Sequence, residues 1–327
     1  MASAAEIAVR CFESVEEIRD FKGYHEGNPL TTQSYRRLVG YYNLPAKMHC
    51  CVEKSNGNLC KHEHGKGWVV EKQDGTCTLM GKDCANDKFG ADPKLIKDIL
   101  NYTNAIKRQA KLSKILAHLE KRSERMSALA ELRSALEGLY ARVHELLAEI
   151  GTQTTKRLQD MYRSRSAEVT VIAVKYREHV EDGRMKKERS AFTHRLGLLN
   201  GLAIVSRESY TPIYIAVSNI LAAFDAAEKL SDQPKKGEVD ALVGRLDDFE
   251  KTMYQGNTLL AYEAQFMGNN MELLCFLVDD RAERYKCARF AMHQSGVQGG
   301  KDNAKIWLSD READLCKHLA VDQINIR

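Results

Sequence analysis

Eight residues able to bind a soft metal ion crowd into one stretch of this 327-residue chain: His49, Cys50, Cys51, Cys60, His62, His64, Cys77 and Cys84. Thiolate sulfur and imidazole nitrogen are the donors zinc prefers, and about four of them in a closed tetrahedron can fix the loops of a domain that lacks a full core. Cys60 and His64 flank a segment that runs into Gly65 and Gly67, and glycine gives a metal-gripping turn the backbone freedom it requires. Cys84 follows Gly81 in Gly-x-x-Cys spacing and falls at the predicted start of a helix, where amide dipoles favour a thiolate. Cys50 and Cys51 are adjacent, and neighbours on extended backbone point to opposite faces, so one of the pair is expected to reach the ion. The preferred ligands are Cys51, Cys60, His64 and Cys84, with Cys50 as alternate for Cys51 and His62 for His64. Cys77 is a further alternate, although burial inside a predicted strand explains it more simply. The expected cofactor is a structural Zn2+.

These residues need elements to hold them. WVVEKQDGTCTLMG alternates in strand fashion around Asp74 and Gly75, which predicts a hairpin, and GKDCANDKF predicts the short helix that carries Cys84. Knuckle, hairpin, then a cysteine at a helix start resembles the treble-clef class of zinc fingers over residues 48–90, and that resemblance implies a structural zinc. Two features depart from the class. The first pair is not Cys-x-x-Cys, and no second cysteine follows Cys84 in the helix, so the fourth ligand is expected from upstream. A catalytic zinc is not expected: the spacing around Glu63 is not the i, i+4 histidine pair of a helical zinc protease, and no Pro-Cys-x-x-Cys accompanies a His-x-Glu.

Upstream, ESVEEIRDFKGY opens with Ser14 three residues before Glu17, the spacing of a capping box, and predicts a short helix. TTQSYRRLVGYYNL places Tyr35, Leu38, Val39 and Tyr42 at helical spacing and predicts a second helix ending before Pro45. Downstream, Asp92 and Pro93 start a long helix as N-cap and first-turn residue. Leu129, Leu132, Leu136, Leu139, Val143, Leu146 and Ile150 form an apolar seam, but the register slips near Met126, which favours an intramolecular bundle over a long dimeric coiled coil. EVTVIAVKY and the residues after Gly183 predict a small β element. Helices then resume, and the last, SDREADLCKHLAV, is expected to be capped by Ser309 or Asp310. The resulting fold class is mainly α, with a zinc-stabilised α+β cap at the N-terminal end. Its divisions are a short helical cap at 1–47, a zinc-binding module at 48–92, a helical arm at 93–165 and a mixed, mainly helical domain at 166–327.

Nine cysteines cannot all pair within one chain, no stretch is long and apolar enough for a membrane helix, and the N-terminal residues lack a signal pattern, so a cytoplasmic protein without a membrane partner is expected. Net charge is +4, but residues 101–190 hold 19 Lys and Arg against 12 Asp and Glu. A basic middle can attract DNA or RNA. The expected contacts are Lys54, Lys61, Lys66 and Lys72 around the metal residues and Arg157, Arg163 and Arg165 beyond them. No phosphate-binding glycine loop, dinucleotide fingerprint or nucleophile elbow occurs, so the first reading is a non-enzymatic nucleic-acid-binding protein. The alternatives are a scaffold that docks a protein partner or a second copy along the Leu129–Ile150 seam, and a metal-dependent nuclease that uses Asp247 with Asp248 or Asp279 with Asp280.

Overall fold

A computed structural model describes residues 10–89, 92–181, 184–231 and 234–326, and helix dominates it. The chain divides into two compact units, Met1–Ala117 with Ser231–Val243, and His118–Leu230 with Gly244–Arg327.

The first unit is built on a four-stranded sheet in the order β1 (Cys11–Phe12), β2 (Tyr35–His49), β3 (Glu63–Lys72) and β4 (Cys77–Gly81). β1 runs parallel to β2, and the other pairs are antiparallel. Strand β2 replaces the helix predicted over TTQSYRRLVGYYNL, and with it the short helical cap read at 1–47. Its aromatic and β-branched residues suit a pleated surface. Tyr35, Leu38, Tyr42 and Leu44 are buried, and Gly40 lies so close to the Phe12 ring that a Cβ there would come within 2.1 Å of it. Pro45 is tolerated because the β2–β3 ladder is irregular between Asn43 and Met48.

Half of the predicted capping box forms: Ser14 Oγ accepts from Glu17 N at 3.1 Å and starts α1 (Val15–Arg19), while Glu17 Oε2 accepts from Glu13 N at 2.9 Å instead of from the cap residue. The β3–β4 hairpin also forms, with Gly75 at φ 82° in its turn. Both faces of this sheet are covered. One core holds Leu38, Cys50, Trp68, Val70, Met80, Cys84, Leu95 and Tyr102 and is roofed by α2 (Lys82–Phe89) and α3 (Pro93–Glu120). The other holds Phe12, Ile18, Tyr42, Leu44, Cys51, Val69, Cys77 and Leu79 beneath α1. Asp92 Oδ1 accepts from Lys94 N at 2.8 Å at the start of α3. From that helix the Tyr102 hydroxyl accepts from Arg10 N at 2.8 Å and donates to Arg10 O at 2.9 Å, which ties the residue before β1 to the core.

The second unit centres on α4 (Arg122–Ile150). Its seam residues Leu129, Leu132, Leu136, Leu139, Val143 and Ile150 are buried against α6 (Arg207–Glu228), α8 (Phe249–Met267) and α9 (Arg281–Gln294) of the same unit. Close packing is explicit at Gly256, where a Cβ would lie 2.6 Å from Leu132. Gly151, at φ 99°, turns the chain into α5 (Thr152–Arg163). The predicted β element is a hairpin of β5 (Glu168–Glu181) and β6 (Arg184–Leu198), joined on its β5 side by β7 (Gln323–Ile326). α7 (Lys236–Asp247) crosses the division between the units. The last helix, α10 (Lys301–Leu319), begins well before Ser309 and Asp310, so neither residue caps it; buried Ala304 and Leu308 anchor the extra turns.

Candidate metal centre

The β2–β3 connection doubles back on itself after Cys50. Lys61 N donates to Cys50 O at 3.0 Å, Cys50 N to His62 O at 3.0 Å, and Cys60 N to Val52 O at 2.8 Å, so Cys50 and Cys60 lie across a short antiparallel ladder. Between them Lys54 N donates to Asn58 O at 2.8 Å and Gly57 takes φ 78°, which closes the loop. Lys61 adopts φ 50°, the left-handed region that few side-chain-bearing residues enter, directly after Cys60. Cys84 reaches the same place from the first turn of α2.

The sulfurs of Cys50, Cys60 and Cys84 all lie within 4.8 Å of one another, and Cys60 and Cys84 are 3.4 Å apart. Two thiolates on one tetrahedral zinc, each about 2.3 Å from the metal, are separated by roughly 3.8 Å. The three thiols therefore fit a zinc corner with little adjustment. Peptide amides also point at them: those of Gly81 and Val52 donate to Cys50, and that of His62 donates to Cys60. Amide donors stabilise sulfur in its charged form.

The thiols respond unequally. At Cys60 burial opposes ionisation, but the His62 amide, the neighbouring thiols and Lys54 together outweigh it and lower its pKa. Burial raises Cys50 despite its amide donors. Burial and the hydrogen bonds with Cys60 and Cys50 push Cys84 far higher. Three close thiols cannot all ionise in this setting, whereas a divalent cation among them would favour the ionised form of each.

The adjacent pair is divided as strand alternation requires. Cys50 faces α2 and α3, while Cys51 lies in the opposite core and donates weakly to His49 O at 3.6 Å. Cys77 is buried in that same opposite core. His64 lies apart from the thiol cluster: its Nδ1 is 3.0 Å from the Tyr42 hydroxyl, and its ring rests against Gly81, where a Cβ would come within 2.6 Å. Its Nε2 is buried without a hydrogen-bond partner. Burial and then the charge of His62 lower the His64 pKa, so the ring is neutral at neutral pH, as a metal ligand must be. His62 is exposed, and exposed His49 sits 3.7 Å from Glu63.

Lys54, Lys61 and Lys66 are exposed. Lys72 instead donates to Asn28 Oδ1 at 2.8 Å and sits 3.4 Å from Asp74, an internal tie of the hairpin. Arg157, Arg163 and Arg165 are exposed on the second unit, with Arg163 paired to Glu208 at 3.0 Å. The aspartate pairs stay out of any cluster: Asp280 caps α9 by accepting from Glu283 N at 2.8 Å, and Asp247 pairs with His118 at 3.0 Å. Among the described residues the thiol trio is the one group of three or more His, Cys, Asp or Glu arranged to hold a metal. No described helix is long and apolar enough to cross a membrane.

Sequence reasoning missed two supporting features, the Tyr42 hydroxyl behind His64 and the Gly81 amide on Cys50. Gly-x-x-Cys spacing was the available signal for the second; nothing local signalled the first, because Tyr42 lies 22 residues away on another strand. Comparison with protein-family models, curated proteins and solved structures finds no match to this chain.

Proposed function

We propose that the chain is a non-enzymatic, zinc-containing protein that binds nucleic acid. Cys50, Cys60 and Cys84 hold the ion, and His64, which lies outside the trio here, would have to shift toward it to supply the fourth donor through Nε2, with Nδ1–H donating to the Tyr42 hydroxyl as the outer hydrogen bond that fixes a ligating imidazole. The observation that carries this reading is the convergence of three sulfurs from two separate elements, with peptide amides aimed at two of them. Bound there, zinc cross-links the β2–β3 connection to α2. Four protein donors leave no open coordination position, which suits a structural role over catalysis.

Lys54 and Lys61 project from this same connection and Lys66 from β3, and among the described residues no ion pair holds any of the three. Exposed ammonium groups on and beside a zinc-tied loop are suited to phosphate. Each phosphate neutralised on duplex DNA steepens the fall of log K with log salt by about 0.9. Fluorescence anisotropy with duplex and single-stranded probes across a salt series, for wild type and a Lys54→Glu/Lys61→Glu/Lys66→Glu variant, tests the reading. Salt-dependent binding weakened in the variant supports it. Flat curves at every salt concentration discard it.

The scaffold alternative has less room, since a partner helix on the Leu129–Ile150 seam would have to displace α6, α8 and α9. Nuclease chemistry lacks a gathered carboxylate site among the described residues.

A further inference from the structure

The β5–β6 hairpin is longer than its fold requires. β7 covers β5 only from Val171 to Val174, and every described residue at 176–180 and 185–193 is exposed. Beyond that cover the ladder runs six rungs, from Tyr176 opposite Arg189 to Glu181 opposite Arg184. At roughly 3.4 Å per residue this arm extends about 17 Å. A two-stranded ribbon with both faces in water buries too little to be stable for its own sake.

Its composition is selective. Residues 175–195 contain seven Lys and Arg against four Asp and Glu, together with His179 and His194; within 176–189 the numbers are five and four, with Lys187 paired to Glu178 at 3.1 Å, and Arg195 pairs with Glu168 at 3.3 Å. Strand alternation distributes cations to both faces: Arg189 and Lys187 share one with Tyr176, while Lys175, Arg177 and Lys186 share the other. At the far end Val180 and Met185 are directly opposed, each 66% exposed. Two large apolar side chains side by side in water, one rung before the end of the ladder, have no packing role in this unit.

We propose that this arm is a groove-binding ribbon for duplex DNA, with the Val180–Met185 pair as an apolar wedge that enters between base steps. The inference rests on the nucleic-acid reading above and assigns the contact to a different surface. Two-stranded ribbons enter either groove of B-form DNA, and the minor groove, from which apolar wedges act, is about 7.5 Å deep, so an arm of about 17 Å reaches the base edges with length to spare. A-form RNA offers a deep, narrow major groove that excludes the arm and a wide, shallow minor groove whose walls do not grip it. Cations on both faces match the phosphate strands that wall a groove on either side. Apolar wedges of this type unstack a step and kink the duplex.

The test uses the full chain and an end-labelled 30-base-pair DNA duplex, with affinity read by anisotropy and bending by energy transfer between the ends. Arg177→Ala/Arg189→Ala is expected to reduce the slope of log K against log salt by roughly two. Val180→Ser/Met185→Ser is expected to keep the slope and lose the bend. All four positions are exposed, and unchanged thermal melting of each variant confirms that the fold is intact. Wild-type slope and bend in both variants would overturn the arm proposal and leave the lysine surface of the first unit as the contact. No binding by the wild type would overturn both. Sedimentation showing a dimer that Val180→Ser/Met185→Ser dissociates, with DNA affinity unaltered, would assign the arm to self-association and overturn the proposal.

Discussion

Replacing Glu283 by Gln should destabilise the second unit in a manner that depends on pH. This carboxylate is 6% exposed and sits at the N-terminus of α5. One oxygen accepts from Gln153 N at 2.9 Å, and the other from Thr154 N at 2.8 Å and Thr154 Oγ1 at 3.1 Å. Gly151 leaves the space: a Cβ there would lie 2.8 Å from the Glu283 carboxyl carbon. Glutamine keeps the shape but turns an amide NH2 toward donors. One buried donor then loses its acceptor, at about 1–3 kcal/mol, and the favourable charge at the helix N-terminus, up to about 2 kcal/mol, is lost as well. A total near 3 kcal/mol follows at pH 7. Burial alone would raise the Glu283 pKa, but the amide and hydroxyl donors outweigh it and hold the group below 4.5. A depressed carboxylate contributes its stability above the unfolded value and loses it as pH falls through the folded one. Urea unfolding of wild type and Glu283→Gln from pH 7 downward should therefore give midpoints that are well separated at neutral pH and converge in acid. A gap that is absent at pH 7, or that persists unchanged into acid, would refute the argument.

Other substitutions probe the packing. Leu136 is fully buried in the α4 seam, so Leu136→Ala should cost roughly 2–5 kcal/mol in urea unfolding. Leu136→Asp should unfold the second unit; sedimentation showing instead a folded protein of smaller mass would mean that the seam joins copies. Gly81→Ala places a methyl 2.6 Å from the His64 ring, and should lower stability by about 1–3 kcal/mol and weaken zinc retention together. Calorimetry with a zinc-selective dye checks both, and an unaltered variant would remove His64 from the site.

The local chemistry of the first unit was largely legible. Asp74 and Gly75 mark the hairpin turn, Gly81 and Cys84 mark the start of α2, and Asp92 marks the cap of α3, because each signal is satisfied within a few residues. Strand β2 was not legible, since Tyr35, Leu38 and Tyr42 satisfy helical spacing as well as the irregular strand that the ladder shifts create. Adjacent cysteines announce that one of them faces the other ligands. Which one depends on the side of the sheet that α2 covers, and only the assembled sheet decides that in favour of Cys50. β7 is four residues long and takes its identity from pairing with a strand some 150 positions earlier, a partnership no window of sequence reveals. The same holds for Glu283, whose partners lie about 130 residues away.

The most direct measurement is elemental analysis of protein purified without chelator, for wild type, Cys50→Ser and Cys51→Ser. One zinc per wild-type chain, retained by Cys51→Ser and lost by Cys50→Ser, is the result expected from three sulfurs within 4.8 Å of one another and a fourth facing away. A wild-type chain with no stoichiometric metal, or equal loss from both variants, would contradict it.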